Sequence, residues 1–220
     1  MARRTKEDAQ HTRQQLLEAA QRVFAEKGVS RTSLQDIALA AGVTRGAIYW
    51  HFKNKAELFN AMMDSAILPM ERTLQSIGHD AEQDPLVELE NAMLQSLRSI
   101  EDDERTRAIF EVATMKVEYV DELLAVKQRH VKCSVDTTEQ MQRSLQKAVT
   151  RRAITLTVST ADAARGLHAL MAGLIHTWML DPLSFKLVAV AQVAIRTYLR
   201  GLGQFVRPGA VDILMVKNSE

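Results

Sequence analysis

The chain has 220 residues, 46% hydrophobic and 25% charged, the proportions of an ordinary globular protein with room for one large domain or two unequal ones. No apolar run nears the roughly 20 residues of a membrane span, and the charged N-terminus reads against a secretory signal, so a cytoplasmic protein with no membrane partner is expected. The single cysteine, Cys133, excludes an intrachain disulfide framework and a multi-cysteine metal site; it reads as a small interior residue, with a redox thiol as the alternative.

The net charge of +1 hides an asymmetry. Residues 1–60 carry ten Lys/Arg against six Asp/Glu, a net of +4, which leaves 18 basic against 21 acidic residues, −3, in the remainder. A basic head on a mildly acidic body points to a polyanion that meets the head alone.

Nearly every segment reads as helix. Residues 8–27 place Leu16, Leu17, Ala20, Val23 and Phe24 at helical spacing, and Gly28 stops them as a C-cap. A second, short helix opens at Thr32 or Ser33, with Gln35 or Asp36 closing a capping box, and ends at Gly42. Thr44 caps a third through His51. Asn54, with Glu57 three residues on, caps a fourth that Pro69 kinks rather than ends. Further helices are predicted over 84–100, 103–118, 121–152, 160–180 and 184–203, with the acidic run at 101–104 serving as an N-terminal cap. "AITLTVST", residues 153–160, reads as a loop, with a short strand as the alternative. The segment 206–220 carries apolar residues after a Pro-Gly break and has no assigned packing partner.

The second and third helices, joined through "AGVT", form a helix-turn-helix whose second helix fits a DNA major groove. Leu34, Ile37, Ala38, Ala41, Val43, Ile48 and Phe52 are the apolar set that holds the unit together. Thr44, Arg45, Gly46, Ala47, Tyr49 and Trp50 are left around the outer end. Arg45 has the fork to read guanine O6 and N7; Thr44 and Ala47 are small enough to meet thymine methyls; Gly46 lets backbone approach the duplex. Tyr49 and Trp50 combine an apolar body for the scaffold with a polar tip for phosphate. His51, Lys53 and Lys55 complete a phosphate clamp that sets register without reading sequence, Lys55 doing so from the first turn of the fourth helix. Aromatics in short helices are also common core residues, and Phe52 is read as core.

The stretch "RTSLQDIALAAGVTRGAIYWHFKNKAEL", together with the opening "MARRTKEDAQHTRQQLLEAA", resembles the TetR family of bacterial transcriptional repressors, in its multidrug-efflux branch. The likeness is dense over residues 1–60 and thins afterwards to "FEVATMKVEYV", "GLIHTWMLDPLSF" and helix order. It implies an all-α fold: a helix-turn-helix domain over 1–55, a larger helical ligand-binding and dimerisation domain over 56–205, and a C-terminal tail. It implies double-stranded operator DNA as partner, with contacts from Gln35, Thr44, Arg45, Gly46, Tyr49, Trp50, His51 and Lys55. Arg3 and Arg4 match a minor-groove arm or an unstructured tail. It further implies a homodimer. "AARGLHALMAGLIHTWML" and "FKLVAVAQVAIRTYLRGL" would form its interface, although the same apolar faces also suit an intrachain core.

The branch's cavity falls, by alignment, on Leu89, Ala92, Met93, Ser96, Phe110, Thr114, Met141, His168, Met171, Ala172 and Ile175. Phe110 and Thr114 stand where a relative carries polar and basic side chains, which implies a drier pocket and a hydrophobic or aromatic inducer. Alternatives are a metabolite signal or no small-molecule inducer at all. No glycine-rich phosphate loop, nucleophile elbow or HExxH occurs, so neither catalysis nor a cofactor is expected. His168 and His176 lie eight apart, too far for an i, i+4 metal pair, and no metal site is expected.

Overall fold

The computed structural model describes residues 2–75, 84–151 and 154–203. Among them run nine α-helices: α1 (Ala2–Lys27), α2 (Leu34–Ala40), α3 (Arg45–His51), α4 (Lys55–Gln75), α5 (Pro85–Asp102), α6 (Glu104–Met115), α7 (Leu124–Thr150), α8 (Thr160–Leu180) and α9 (Leu187–Gly201). One 3-10 turn, Asp121–Leu123, leads into α7. The described part of residues 153–160 is irregular up to Ser159, as expected of a loop. Among the described residues no helix is long and apolar enough to cross a membrane, and no group of three His, Cys, Asp or Glu is placed to hold a metal ion.

Local chemistry sets most of the boundaries. Gly28 ends α1 at φ +81°, a conformation open to glycine at little cost. Asp103 caps α6, its carboxylate accepting the Arg105 and Thr106 N–H groups at 3.3 and 3.1 Å. Those bonds, with the Thr106 hydroxyl foremost, hold its carboxyl below the usual aspartate value. Pro69 sits inside α4 without ending it. Several boundaries differ from the sequence reading: α9 starts at Leu187 rather than 184, and α7 at Leu124 after a 3-10 turn rather than at 121. The helical backbone of α1 reaches back to Ala2, taking in Arg3 and Arg4, because nothing in residues 2–7 breaks a helix. α6 stops at Met115 rather than 118, because the Lys116 carbonyl turns to accept the Val29 N–H at 3.0 Å. The apolar C-terminal segment lies outside the described residues.

The side chains pack into two cores. In the first, α1, α2, α3 and the start of α4 close around Phe24, Ile37, Ile48, Phe52 and Phe59, and this core continues into Ile109 and Val112 of α6, Leu123 of the 3-10 turn and Val126 of α7. The second gathers Leu89, Met93 and Leu97 of α5 with Met141, Leu145, Leu167, Trp178, Leu187, Ala191 and Ile195. Phe110 packs against both. The head is therefore not an independent ball on a string: α4 and α6 carry its core into the body.

Candidate nucleic-acid interface and interior cavity

The turn between α2 and α3 is built from three local devices. Ser33 caps α2 in a reciprocal box: its hydroxyl accepts the Asp36 N–H at 3.2 Å, and the Asp36 carboxylate accepts the Ser33 N–H at 2.9 Å. The Ser33 bonds also hold the Asp36 carboxyl below its ordinary value. Gly42 turns the chain at φ +70°, and the Thr44 hydroxyl accepts the Ala47 N–H at 3.2 Å to start α3. Ile48 and Phe52 point inward and are almost fully buried, while Ala41 and Val43 are partly buried against the same core.

That inward anchoring leaves a defined outer face. Thr44, Arg45, Gly46, Tyr49 and Trp50 are exposed, as are Gln35 at the start of α2 and Lys53 just past α3; Ala47 and His51 are half-buried. The Arg45 guanidinium carbon lies over the Tyr49 ring, 5.6 Å from its centre, within cation–π range. Trp50 is 73% exposed, and its ring lies edge-on to His51, ring centres 4.6 Å apart. Its ring body is therefore available, rather than packed on the scaffold as the sequence suggested. Burial, with the Arg13 charge second, holds His51 below its ordinary pKa and favours the neutral ring. Leu39, 81% exposed on α2, was not singled out from the sequence, because one apolar residue in a short helix looks like core.

Lys55 departs from expectation. Its side chain is 5% exposed, and its ammonium donates to the Ser30 and Thr32 carbonyls, both at 2.9 Å, and pairs with Glu122 at 3.0 Å. The three donors of the ammonium are thus used inside the protein rather than turned to the outer face. The α4 N-terminus is capped separately: Asn54 accepts the Glu57 N–H at 2.8 Å, and Glu57 accepts the Lys53 N–H at 2.7 Å.

Behind this head, a cavity of about 270 Å³ opens between α4, α5, α6, α7 and α8. Met93, Ser96, Phe110, Thr114, Met141, His168, Met171, Ala172 and Ile175, all among the positions the resemblance implied, line it. Leu89 and Ala92 do not. They are packed in the second core, because the lining stripe of α5, Met93–Ser96–Leu97–Ile100, begins a turn after Leu89 and leaves Ala92 off its edge. Ile67, Met70, Glu71, Leu97, Ile100, Cys133 and Thr137 were missed, although Ile67, Met70 and Glu71 keep helical spacing on α4. Two of the lining hydroxyls donate within their own helices: Ser96 to the Ala92 carbonyl at 3.0 Å and Thr114 to the Phe110 carbonyl at 2.8 Å. Burial lowers the His168 pKa and raises that of the Cys133 thiol, which lies 3.7 Å from a Glu71 carboxylate oxygen. The walls are therefore mainly apolar, with Glu71 the one carboxylate among them.

Comparison with known proteins settles the family. The model described as "Bacterial regulatory proteins, tetR family" matches residues 16–62, and that described as "MAATS-type transcriptional repressor, C-terminal region" matches residues 84–204. This chain belongs to the TetR family. It is 40% identical over 188 residues to the transcriptional regulator TtgR of Pseudomonas putida, covering 86% of this chain and 90% of that one. To AcrR of Shigella flexneri it is 37% identical over 190 residues, 85% and 87% of the two chains. Among solved structures, NalD of Pseudomonas aeruginosa, described as the secondary repressor of the MexAB-OprM multidrug efflux pump, superposes with a TM-score of 0.81 at 36% identity, covering 90% of this chain and 99% of NalD. A complex of SmeT of Stenotrophomonas maltophilia with triclosan gives 0.80 at 30% identity, covering 94% and 100%. The family is one of transcriptional regulators rather than enzymes.

In this TetR-family chain, the two readings of α8 and α9 divide between opposite faces. Leu187, Ala191 and Ile195 are buried within the chain, and Gly166 lets Tyr198 of α9 cross α8. Leu180, Leu183, Val190 and Val193 are exposed on the other side, 69%, 95%, 40% and 67%, beside the exposed Ala169, Gly173 and Ala189. The start of α9 is held by a residue the sequence had assigned to the cap of the helix next in line: the Glu101 carboxylate, at the end of α5, accepts the Leu187 and Val188 N–H groups at 2.8 and 3.1 Å.

Proposed function

We propose that this TetR-family regulator represses a multidrug efflux pump by binding a two-fold operator duplex as a homodimer, and leaves it when an apolar or aromatic small molecule enters the cavity. The observation that carries the reading is the outward face of α3, with Arg45, Tyr49 and Trp50 exposed over a buried Ile48–Phe52 anchor. Such a face fits a major groove: Arg45 reads a guanine edge, while Thr44, Tyr49, Trp50 and Lys53 meet backbone or thymine methyls. Two such helices read half-sites about 34–36 Å apart, or a multiple of that, only if two chains are held together. The exposed apolar side of α8 and α9 suits a four-helix seam between copies. The pump assignment rests on NalD, and the ligand class on the apolar walls and on the triclosan held by SmeT. Glu71 adds a place for a ligand hydrogen-bond donor among those walls.

Release is a population shift: the ligand favours a conformer whose two α3 helices no longer match successive grooves. It acts only if it binds that conformer better than the DNA-bound one. A gel shift on the duplex upstream of its own gene, titrated with a panel of hydrophobic antimicrobials, tests the reading. At least one compound should release the wild-type protein but not Ser96→Phe, whose ring fills the cavity, and sedimentation should give a dimer that Val193→Glu dissociates. Release of Ser96→Phe at the wild-type concentration would refute the cavity assignment.

A further inference from the structure

Lys55 is the one charged residue that is buried among the described residues. Taking an ammonium out of water costs several kcal/mol unless its partners are well placed. Here they come from two parts of the molecule. Ser30 and Thr32 belong to the turn that feeds α2, and Glu122 to the 3-10 turn before α7, on the body. The same turn of the head is tied to the same stretch of the body at two further points: the Val29 N–H donates to the Lys116 carbonyl at 3.0 Å, and the Ser30 hydroxyl to Glu118 at 3.1 Å. The turn itself is closed, the Thr32 hydroxyl donating to the Gly28 carbonyl at 2.8 Å.

We infer that Lys55 is a positioning residue for DNA reading: anchored on Glu122, it fixes the pose of the α2–α3 head on the body and does not grip phosphate. A hydrophobic side chain would seal the same site without the desolvation cost. What the ammonium adds is direction, since it accepts one arrangement of two carbonyls and one carboxylate. The segment it is tied to, residues 116–122, follows α6 directly, and α6 presents Phe110 and Thr114 to the cavity. The pose of α3 is thereby referred to the helix that borders the cavity.

The test uses a duplex selected from a random pool by the wild-type dimer or monomer, with affinities followed by fluorescence anisotropy over a range of salt. Lys55→Met should bind the selected duplex about tenfold more weakly, keep its affinity for random duplex, and keep the wild-type salt slope. Glu122→Ala, largely exposed and away from α3, should weaken selected-duplex binding about threefold or more, and the double variant should be no weaker than Lys55→Met, because both break one tie. Nitroxides at residues 39 and 143, with Cys133 replaced by Ser, report the pose directly. Their distance distribution should broaden in both single variants while the melting of the body is retained, which a merely stabilising role would not produce. If Lys55→Met does not fold, Glu122→Ala decides alone. A salt slope lowered by about one per subunit in Lys55→Met, with random duplex weakened equally, would identify a phosphate clamp and overturn the inference. Unchanged affinity and an unchanged distance distribution in Glu122→Ala would overturn it as well.

Discussion

Gly166→Ala offers a test in which two physical effects predict opposite signs. In an open helix interior, alanine is favoured over glycine by about 1 kcal/mol. At residue 166, however, an added Cβ would lie 2.1 Å from the Tyr198 hydroxyl oxygen, 3.0 Å from Cζ and 3.3 Å from Cε2. The ring has to withdraw, and with it goes the hydroxyl's hydrogen bond to the Ala163 carbonyl at 2.9 Å, worth about 1 kcal/mol. Overpacking of this kind adds about 1–3 kcal/mol. Against the propensity gain, the net is a destabilisation of about 1–3 kcal/mol. Urea unfolding of wild type, Gly166→Ala, Tyr198→Phe and the double variant, at one protein concentration because association shifts apparent stability, measures it. The double variant should fall short of the sum, since removing the hydroxyl removes the 2.1 Å contact. A Gly166→Ala protein about 1 kcal/mol more stable than wild type would mean that propensity alone rules and that the α8–α9 crossing is loose.

Two further expectations concern recognition and pH. Arg45→Ala should cost about 1–3 kcal/mol of discrimination at one base pair of each half-site, whereas Lys53→Ala should weaken all duplexes alike and lower the salt slope by about one per subunit; binding-site selection on Arg45→Ala that returns the wild-type sequence preference would refute the base-reading role. His51, His130 and His168 are all held below the ordinary value of 6.5 by burial, so the unfolded chain takes up protons that the folded one resists. Stability is then full above about pH 6.5 and lost as the pH falls below it, and the urea midpoint should be lower at pH 5.5 than at 7.5, with His168→Gln reducing the difference.

What could be read from the sequence was what is decided locally. Ser33 with Asp36, Thr44 with Ala47 and Asn54 with Glu57 are contacts three residues apart, so spacing marked all three caps, although it left Thr32 with Gln35 as an alternative to the first. The exposed face of α3 followed because Ile48 and Phe52 fix the inner side of a seven-residue helix. The roles of Lys55 and Glu101 were illegible for the opposite reason. Their partners lie far along the chain, at Glu122 and at Leu187–Val188, and nothing in "KNKAEL" distinguishes an ammonium aimed at DNA from one aimed at a turn. The cavity was intermediate. Alignment carried nine positions to its wall, but Leu89 and Ala92 show that a shared helix face does not fix where a void begins.

One rung of α4 bears on how the two ends of the molecule communicate. Pro69 has no N–H, so the Ser65 carbonyl has no main-chain donor four residues on, and flexing the rod there severs no backbone bond. Ile67, Met70 and Glu71, around that rung, touch the void, while Lys55 begins the same rod about 21 Å away at 1.5 Å per residue. A bend of about 5° at the proline displaces the far end by roughly 2 Å, which is large against the reach of a hydrogen bond. The rod thus lacks a main-chain hydrogen bond at the level where its side chains border the void.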